Sequence, residues 1–150
     1  MEDLRELYQE VILDHNKNPR NYRKISGYSH FAEGDNPLCG DHIDVYLSVK
    51  NEVITDISFM GKGCAISKSS ASLMTEELKG KSLIEAHEVF RKFHQLVTSE
   101  INSFPELNDL GKLEVFAGVK EFPLRIKCAS LAWHTFNAAL KKSNDKVTTE

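Results

Sequence analysis

Long apolar runs, clustered positive charge and paired cysteines are all missing from this sequence. No stretch approaches the roughly 20 apolar residues that cross a bilayer, so a membrane protein is not expected. No polybasic run offsets the formal net charge of −3. Phosphate binding needs a clustered positive field, so nucleic acid is not an expected partner. The opening stretch MEDLRELYQE is acidic and amphipathic, unlike a secretory signal or a transit peptide. There are only three cysteines. An odd number cannot all pair, and nothing suggests secretion, so a reducing cytoplasm is the expected location. The cysteines are then thiols, thiolates or metal ligands.

What is present fits one domain over residues 1–150. A chain of this length buries roughly 70% of its unfolded surface, enough for a core without staples. No internal repeat or long linker interrupts it. From Asp3 to about Lys17, Leu4, Leu7, Val11 and Ile12 recur at helical spacing. The helix should stop near Asn18, because a proline follows at Pro19. Residues 20–38 read as loop, with a short strand around His30–Glu33. Ile43, Val45, Leu47 and Val49 alternate, and Val53, Thr55, Ile57 and Phe59 alternate after the turn Lys50-Asn51-Glu52. Residues 41–60 are therefore an antiparallel hairpin.

Ala65 to about Lys79 reads as a helix ended by Gly80. Ser82 and Glu85 form a capping box for a helix that carries Ala86, Val89, Phe90, Phe93, Leu96 and Val97. Ser103–Gly111 reads as irregular. Leu113–Val119 suits either a short helix or a strand. Pro123 suits a first helical position, and apolar spacing continues to Leu140. The expected fold is α+β, a small antiparallel β-sheet with helices packed on one face.

The cysteines fall where this fold can gather them. Cys39 precedes the first hairpin strand and Cys64 follows the second, and those points lie at one end of a hairpin. Cys64 also starts a helix, where free N–H groups favour a thiolate. Cys128 lies in the first turns of the last helix and can reach the same end. Asp41 extends from the Cys39 loop. Gly40, Gly61 and Gly63 give the backbone freedom around these residues. Zinc accepts such a mixed S and O set. An iron–sulfur cluster usually takes four cysteines and would need Asp41, a histidine or an outside ligand. The plainer reading is three small buried thiols.

The remaining polar residues have plain readings. Of His15, His30, His42, His87, His94 and His134, only His42 adjoins Asp41, and strand alternation turns it to the opposite face. Ser67, Ser69, Ser70 and Ser72 lack any hydrolase elbow or phosphate-loop context, so close helix packing is the better reading. Trp133, Phe136, Phe90 and Phe93 read as core.

Four motifs, DHNKNPRN (14–21), NPLCGD (36–41), GKGCAISKSSAS (61–72) and PLRIKCASLAW (123–133), come in an order that resembles the U-type iron–sulfur cluster assembly proteins. The resemblance runs from about Leu4 to Leu140 and implies a SufE/NifU-like fold. Within the family the chain is similar to the SufU-type branch rather than the IscU-like scaffold branch. The stretch between Cys64 and Cys128 is longer, with extra residues around 82–111. Lys127 stands where the scaffold branch carries histidine, and Glu121–Lys127 departs from the scaffold's chaperone-read Leu-Pro-Pro-Val-Lys segment.

The resemblance implies that Cys39, Asp41, Cys64 and Cys128 bind one Zn²⁺. It implies a cysteine desulfurase of SufS type as partner, whose persulfide sulfur passes to Cys39 and on to the SUF scaffold proteins. Asp41 is then the exchangeable ligand, and Arg125 pairs with Asp41 or with the persulfide anion. The activity is sulfurtransferase-like and is exercised together with the desulfurase. The alternative is a scaffold that holds iron or a nascent [2Fe–2S] cluster transiently.

Overall fold

The computed structural model describes residues 2–98, 110–142 and 147–148. Helix α1, Glu2–Lys17, is followed by β1, His30–Asn36, β2, Asp41–Lys50, and β3, Val53–Lys62. Then come α2, Ala65–Leu78, α3, Leu83–Thr98, a 3₁₀ helix, Gly111–Glu121, α4, Pro123–Leu140, and β4, Val147–Thr148. The sheet is four-stranded in the order β3-β2-β1-β4. It is antiparallel except that the short β4 runs parallel to β1.

The expected α+β architecture holds, with three refinements. The strand expected at His30–Glu33 runs on to Asn36, because its partner β2 continues to Asp41 and supplies the ladder. The stretch Leu113–Val119 is 3₁₀ helix rather than strand. Finally, β4 had no signal in the apolar pattern. Most of the segment expected to be irregular, residues 103–109, lies outside the described residues, as does part of the extra stretch around 82–111.

Local chemistry explains the boundaries. Asn51 and Glu52 both take positive φ, 52° and 61°, the conformation a two-residue hairpin turn requires. The Ser82 backbone N–H donates to Glu85 Oε1 at 3.0 Å, and the Glu85 N–H donates to Ser82 Oγ at 3.1 Å. That reciprocal pair is the predicted capping box.

The register assigns each residue to a face. Ala32 pairs with Val45, Gly34 with Ile43 and Asn36 with Asp41, while Val45 pairs with Phe59 and Leu47 with Ile57. These residues share the inner face, against which α2 and α4 pack. A Cβ at Gly34 would collide with Thr135 Oγ1 and Leu131 of α4, so this glycine lets α4 lie close to the sheet. Trp133 stacks on Phe93, with ring centroids 4.4 Å apart, and donates from Nε1 to Ser70 Oγ at 3.1 Å. Ser70 donates in turn to the Ala129 carbonyl at 2.6 Å. Ser70 and Ser72 of α2 are therefore packing residues that satisfy buried polar groups of α4 and α1, while Ser69 bonds back to Ile66 of its own helix.

Candidate metal centre

The inner face of the sheet ends in a pair of polar residues, Asn36 and Asp41, which are register partners across the last rung of β1 and β2. Between them Pro37-Leu38-Cys39-Gly40 forms the connecting turn, closed by a Cys39 N–H to Asn36 carbonyl bond of 3.2 Å. Gly40 sits at φ 70°, in the left-handed region that glycine enters without a Cβ penalty. The other hairpin, β2–β3, brings Lys62 beside His42. Gly63 and Cys64 thus emerge next to Asp41 at the same end, as the hairpin argument requires.

Three elements then meet. Cys39 comes from the β1–β2 turn and is exposed, Cys64 caps the N-terminus of α2, and the buried Cys128 comes from the second turn of α4. Cys128 Sγ lies 3.4 Å from Cys39 Sγ, and Cys64 Sγ lies 4.0 Å from Asp41 Oδ2. The ligand atoms of Cys39, Asp41 and Cys128 all fall within 4.8 Å of one another. In a tetrahedral zinc site two sulfurs are about 3.8 Å apart and sulfur and oxygen about 3.6 Å. These separations are near such edge lengths, so Cys39, Asp41 and Cys128 fit a zinc ion by size and by donor type, while Cys64 lies outside that 4.8 Å set and approaches it at Asp41.

The carboxylate is built into this centre. Asp41 is only 2% exposed. Its Oδ1 accepts from the Cys64 backbone N–H at 2.9 Å, and its Oδ2 accepts from Asn36 Nδ2 at 3.2 Å. A Cβ on Gly63 would come within 2.5 Å of Asp41 Oδ1. Gly63 therefore serves as the space the carboxylate occupies, rather than as a point of backbone freedom.

Electrostatics separate the two inner thiols. Cys64 is pulled down to about 7, first by its hydrogen bond with Cys128 and then by the N–H groups of Ser67 and Ile66, against the cost of burial. Cys128 is pushed up, first by the hydrogen bond with Cys64, then by burial and by Cys39. Cys64 is thus the first of the pair to become a thiolate, as its helix-start position predicts. The larger cause, however, is its thiol neighbour.

Other candidates fall elsewhere. His42 points to the outer face, as strand alternation requires. There its Nδ1 meets Asp35 at 2.6 Å and its Nε2 meets Asp44 at 2.8 Å. Those carboxylates, Asp35 first, raise its pKa. His15 is buried and bonded to Ser72 Oγ at 2.7 Å. His87 and His94 are exposed. Arg125 is exposed, with its guanidinium stacked 4.4 Å over the Phe122 ring. Among the described residues no ion pair joins it to Asp41. Lys127 is half-buried. Asn36 received no role from the sequence, although it opens the NPLCGD motif; only the strand register shows it facing Asp41.

A family model described as the NifU-like N-terminal domain matches residues 7–150. An iron–sulfur cluster assembly scaffold protein IscU from Streptococcus pyogenes is 39% identical over 140 residues, which cover 93% of this chain and 86% of that one. A zinc-dependent sulfurtransferase SufU from Bacillus subtilis is 38% identical over 136 residues, covering 91% of this chain and 90% of that one. Among solved structures, an iron–sulfur cluster assembly scaffold protein for the SUF system from Fervidobacterium islandicum superposes with a TM-score of 0.81 at 34% identity. It covers 87% of this chain and 94% of that one. A NifU-like N-terminal protein from Brucella abortus gives a TM-score of 0.80 at 21% identity, covering 93% and 95%, and shares the fold.

Proposed function

Because the chain belongs to the family of NifU-like N-terminal domains, which serve iron–sulfur cluster assembly, we propose that it is a single-domain, zinc-dependent sulfur acceptor. It takes persulfide sulfur from a cysteine desulfurase onto Cys39 and relays it to the SUF assembly machinery. The observation that carries the proposal is the asymmetry of the thiols. Cys39 is exposed on a glycine-flanked turn, while Cys64 is half-buried and Cys128 buried on helices. One thiol can move and two are fixed.

Cys39, Asp41, Cys64 and Cys128 would hold the zinc. When bound, the ion keeps thiols in the thiolate form at neutral pH. The Cys39 thiolate attacks the outer sulfur of the partner's cysteine persulfide. A new sulfur–sulfur bond forms on Cys39 as the partner's bond breaks, and the partner's cysteine leaves as a thiolate. Asp41 is the ligand suited to exchange. It is the only oxygen donor of the four, and its two oxygens have N–H partners of their own in Cys64 and Asn36. Arg125, three residues before Cys128 on α4, supplies a cation for the persulfide anion once it leaves the Phe122 ring.

The same end of the molecule carries apolar surface for a partner. Leu38 beside Cys39 is 59% exposed, and Leu124, one turn before Cys128, is 55% exposed. Exposed apolar residues gathered around a reactive group mark a docking face.

The test is intact mass of zinc-loaded protein after a short pulse with a cysteine desulfurase and cysteine. The expected result is a gain of one sulfur atom that reductant reverses and that Cys39→Ser abolishes. No gain, with active desulfurase and full zinc, refutes the relay. A second reading, a scaffold for a nascent [2Fe–2S] cluster, is favoured by the similarity to the streptococcal IscU. Iron and sulfide retained after anaerobic reconstitution would select it.

A further inference from the structure

We infer that Asn36 is a positioning residue of the centre: its side-chain amide holds Asp41 and Cys128 in the arrangement that receives the metal. The inference rests on the reading above, in which those two side chains are ligands.

Asn36 ends β1 directly opposite Asp41 on the inner face and is 0% exposed. Its Nδ2 donates to Asp41 Oδ2 at 3.2 Å and to Cys128 Sγ at 3.4 Å. An ionised carboxylate only accepts hydrogen bonds. The NH₂ end must therefore face Asp41, and the orientation of the amide is fixed. That leaves Asn36 Oδ1 buried without a hydrogen-bond partner. Buried polar atoms nearly always have one, and an exception calls for an explanation. An apolar residue of the same shape would bury no such oxygen, so the fold gains nothing from this end of the side chain. The benefit lies at the other end, where one NH₂ group joins a carboxylate on the β-hairpin to a thiol on α4.

The remaining donors complete the pattern. The Cys64 N–H serves Asp41 Oδ1, and the Ser67 N–H serves Cys64 Sγ at 3.4 Å. Among the described residues no N–H is directed at Cys39 Sγ, whose contact is the Cys128 thiol. Every fixed member of the centre is held by an N–H group, and the exposed Cys39 is the one left free. Asn36 supplies two of the holding contacts.

Three measurements on the native chain, Asn36→Leu and Asn36→Ala test this. They are zinc affinity by competition with a chromogenic chelator, the visible spectrum of the cobalt-substituted protein, and the unfolding midpoint of the metal-free protein. Asn36→Leu keeps the shape and removes both the donor and the orphan oxygen. The expected result is a zinc dissociation constant raised by about 10- to 100-fold and a shifted cobalt spectrum, with the metal-free midpoint lowered only modestly, since Asp41 Oδ2 loses one donor while the orphan oxygen is removed. Native zinc affinity and cobalt spectrum in both variants overturn the inference. A metal-free midpoint that collapses in both overturns it too, because Asn36 would then be a residue of the fold. A native chain that binds no zinc defeats the reading of the centre itself, and does so before any variant is compared.

Discussion

Adding one methyl group at Gly63 tests whether Asp41 is held where a metal needs it. In Gly63→Ala the new Cβ would stand 2.5 Å from Asp41 Oδ1, 3.1 Å from its Cγ and 3.2 Å from its Cβ. Optimal carbon contacts are about 3.5–4.0 Å, so something must yield by about 1 Å. The carboxylate resists, being buried and held by the Cys64 and Asn36 N–H groups. Gly63 is not at positive φ, so the alanine carries no backbone strain of its own. Overpacking of this kind costs about 1–3 kcal/mol.

The same displacement moves a ligand of the proposed centre. Zinc affinity should fall by about 10- to 100-fold, equivalent to about 1.4–2.7 kcal/mol. The assay is chelator competition on Gly63→Ala and Gly40→Ala, with thermal unfolding of the metal-free proteins. Gly40 is the contrast, since a Cβ there meets nothing within 4 Å but must adopt φ 70°, a strain of about 1–2 kcal/mol. Both variants lose stability, but only Gly63→Ala should push the carboxylate. In an Asp41→Ala background the 2.5 and 3.1 Å contacts vanish and only the 3.2 Å approach to the Cβ of residue 41 remains, so Gly63→Ala should cost clearly less than in the native chain. Native zinc affinity in Gly63→Ala, or an equal stability loss with and without the Asp41 carboxylate, would refute the reasoning.

Two further predictions concern the fold. Burial, with Arg20 nearby, holds His15 below its ordinary value of 6.5, so the folded protein takes up this proton less readily than the unfolded chain. The His15 contribution is therefore intact above about pH 6.5 and is lost as pH falls toward the depressed folded value. His42 acts in the opposite sense, because Asp35 and Asp44 raise it; its contribution is lost as pH rises through its folded value. The metal-free midpoint of the native chain should drop more than that of His15→Gln between about pH 7.5 and about pH 5.5, and equal drops would contradict the assignment. Trp133→Phe loses the bond to Ser70 and part of the stack on Phe93. It should cost about 1–3 kcal/mol in denaturant unfolding followed by circular dichroism, and a change within error would mean the indole is not anchoring α2 to α4.

Much of this protein is written in local pattern. Period-two alternation in 43–49 and 53–59 specifies a hairpin, and although a register shift at Ser48/Val49 buries Ile54 in place of the expected Thr55, a hairpin still brings its two outer ends together. Cys39, Asp41 and Cys64 are neighbours for that reason. The capping box at Ser82, the proline at 123 and the stop before Pro19 set helix boundaries by rules that act within a few residues. The motifs around the three cysteines, with DHNKNPRN at 14–21, carry the likeness to the family.

What local pattern could not supply is anything that depends on register or on contact between distant elements. The length of β1 and the parallel β4 are fixed by partners elsewhere in the sheet. Leu113–Val119 lacks a clean period, and in the fold it is 3₁₀ helix packed against α3 and α4. Cys128 reaches the Cys39 end because α4 is seated on Gly34 of β1, a contact between distant elements. The two residues that shape the carboxylate site are the clearest case. Gly63 reads as a flexible turn residue and Asn36 as an ordinary loop polar residue. Only the paired strands show that one makes room for Asp41 and the other faces it, because a side chain's partner across a sheet is set by register and not by sequence distance.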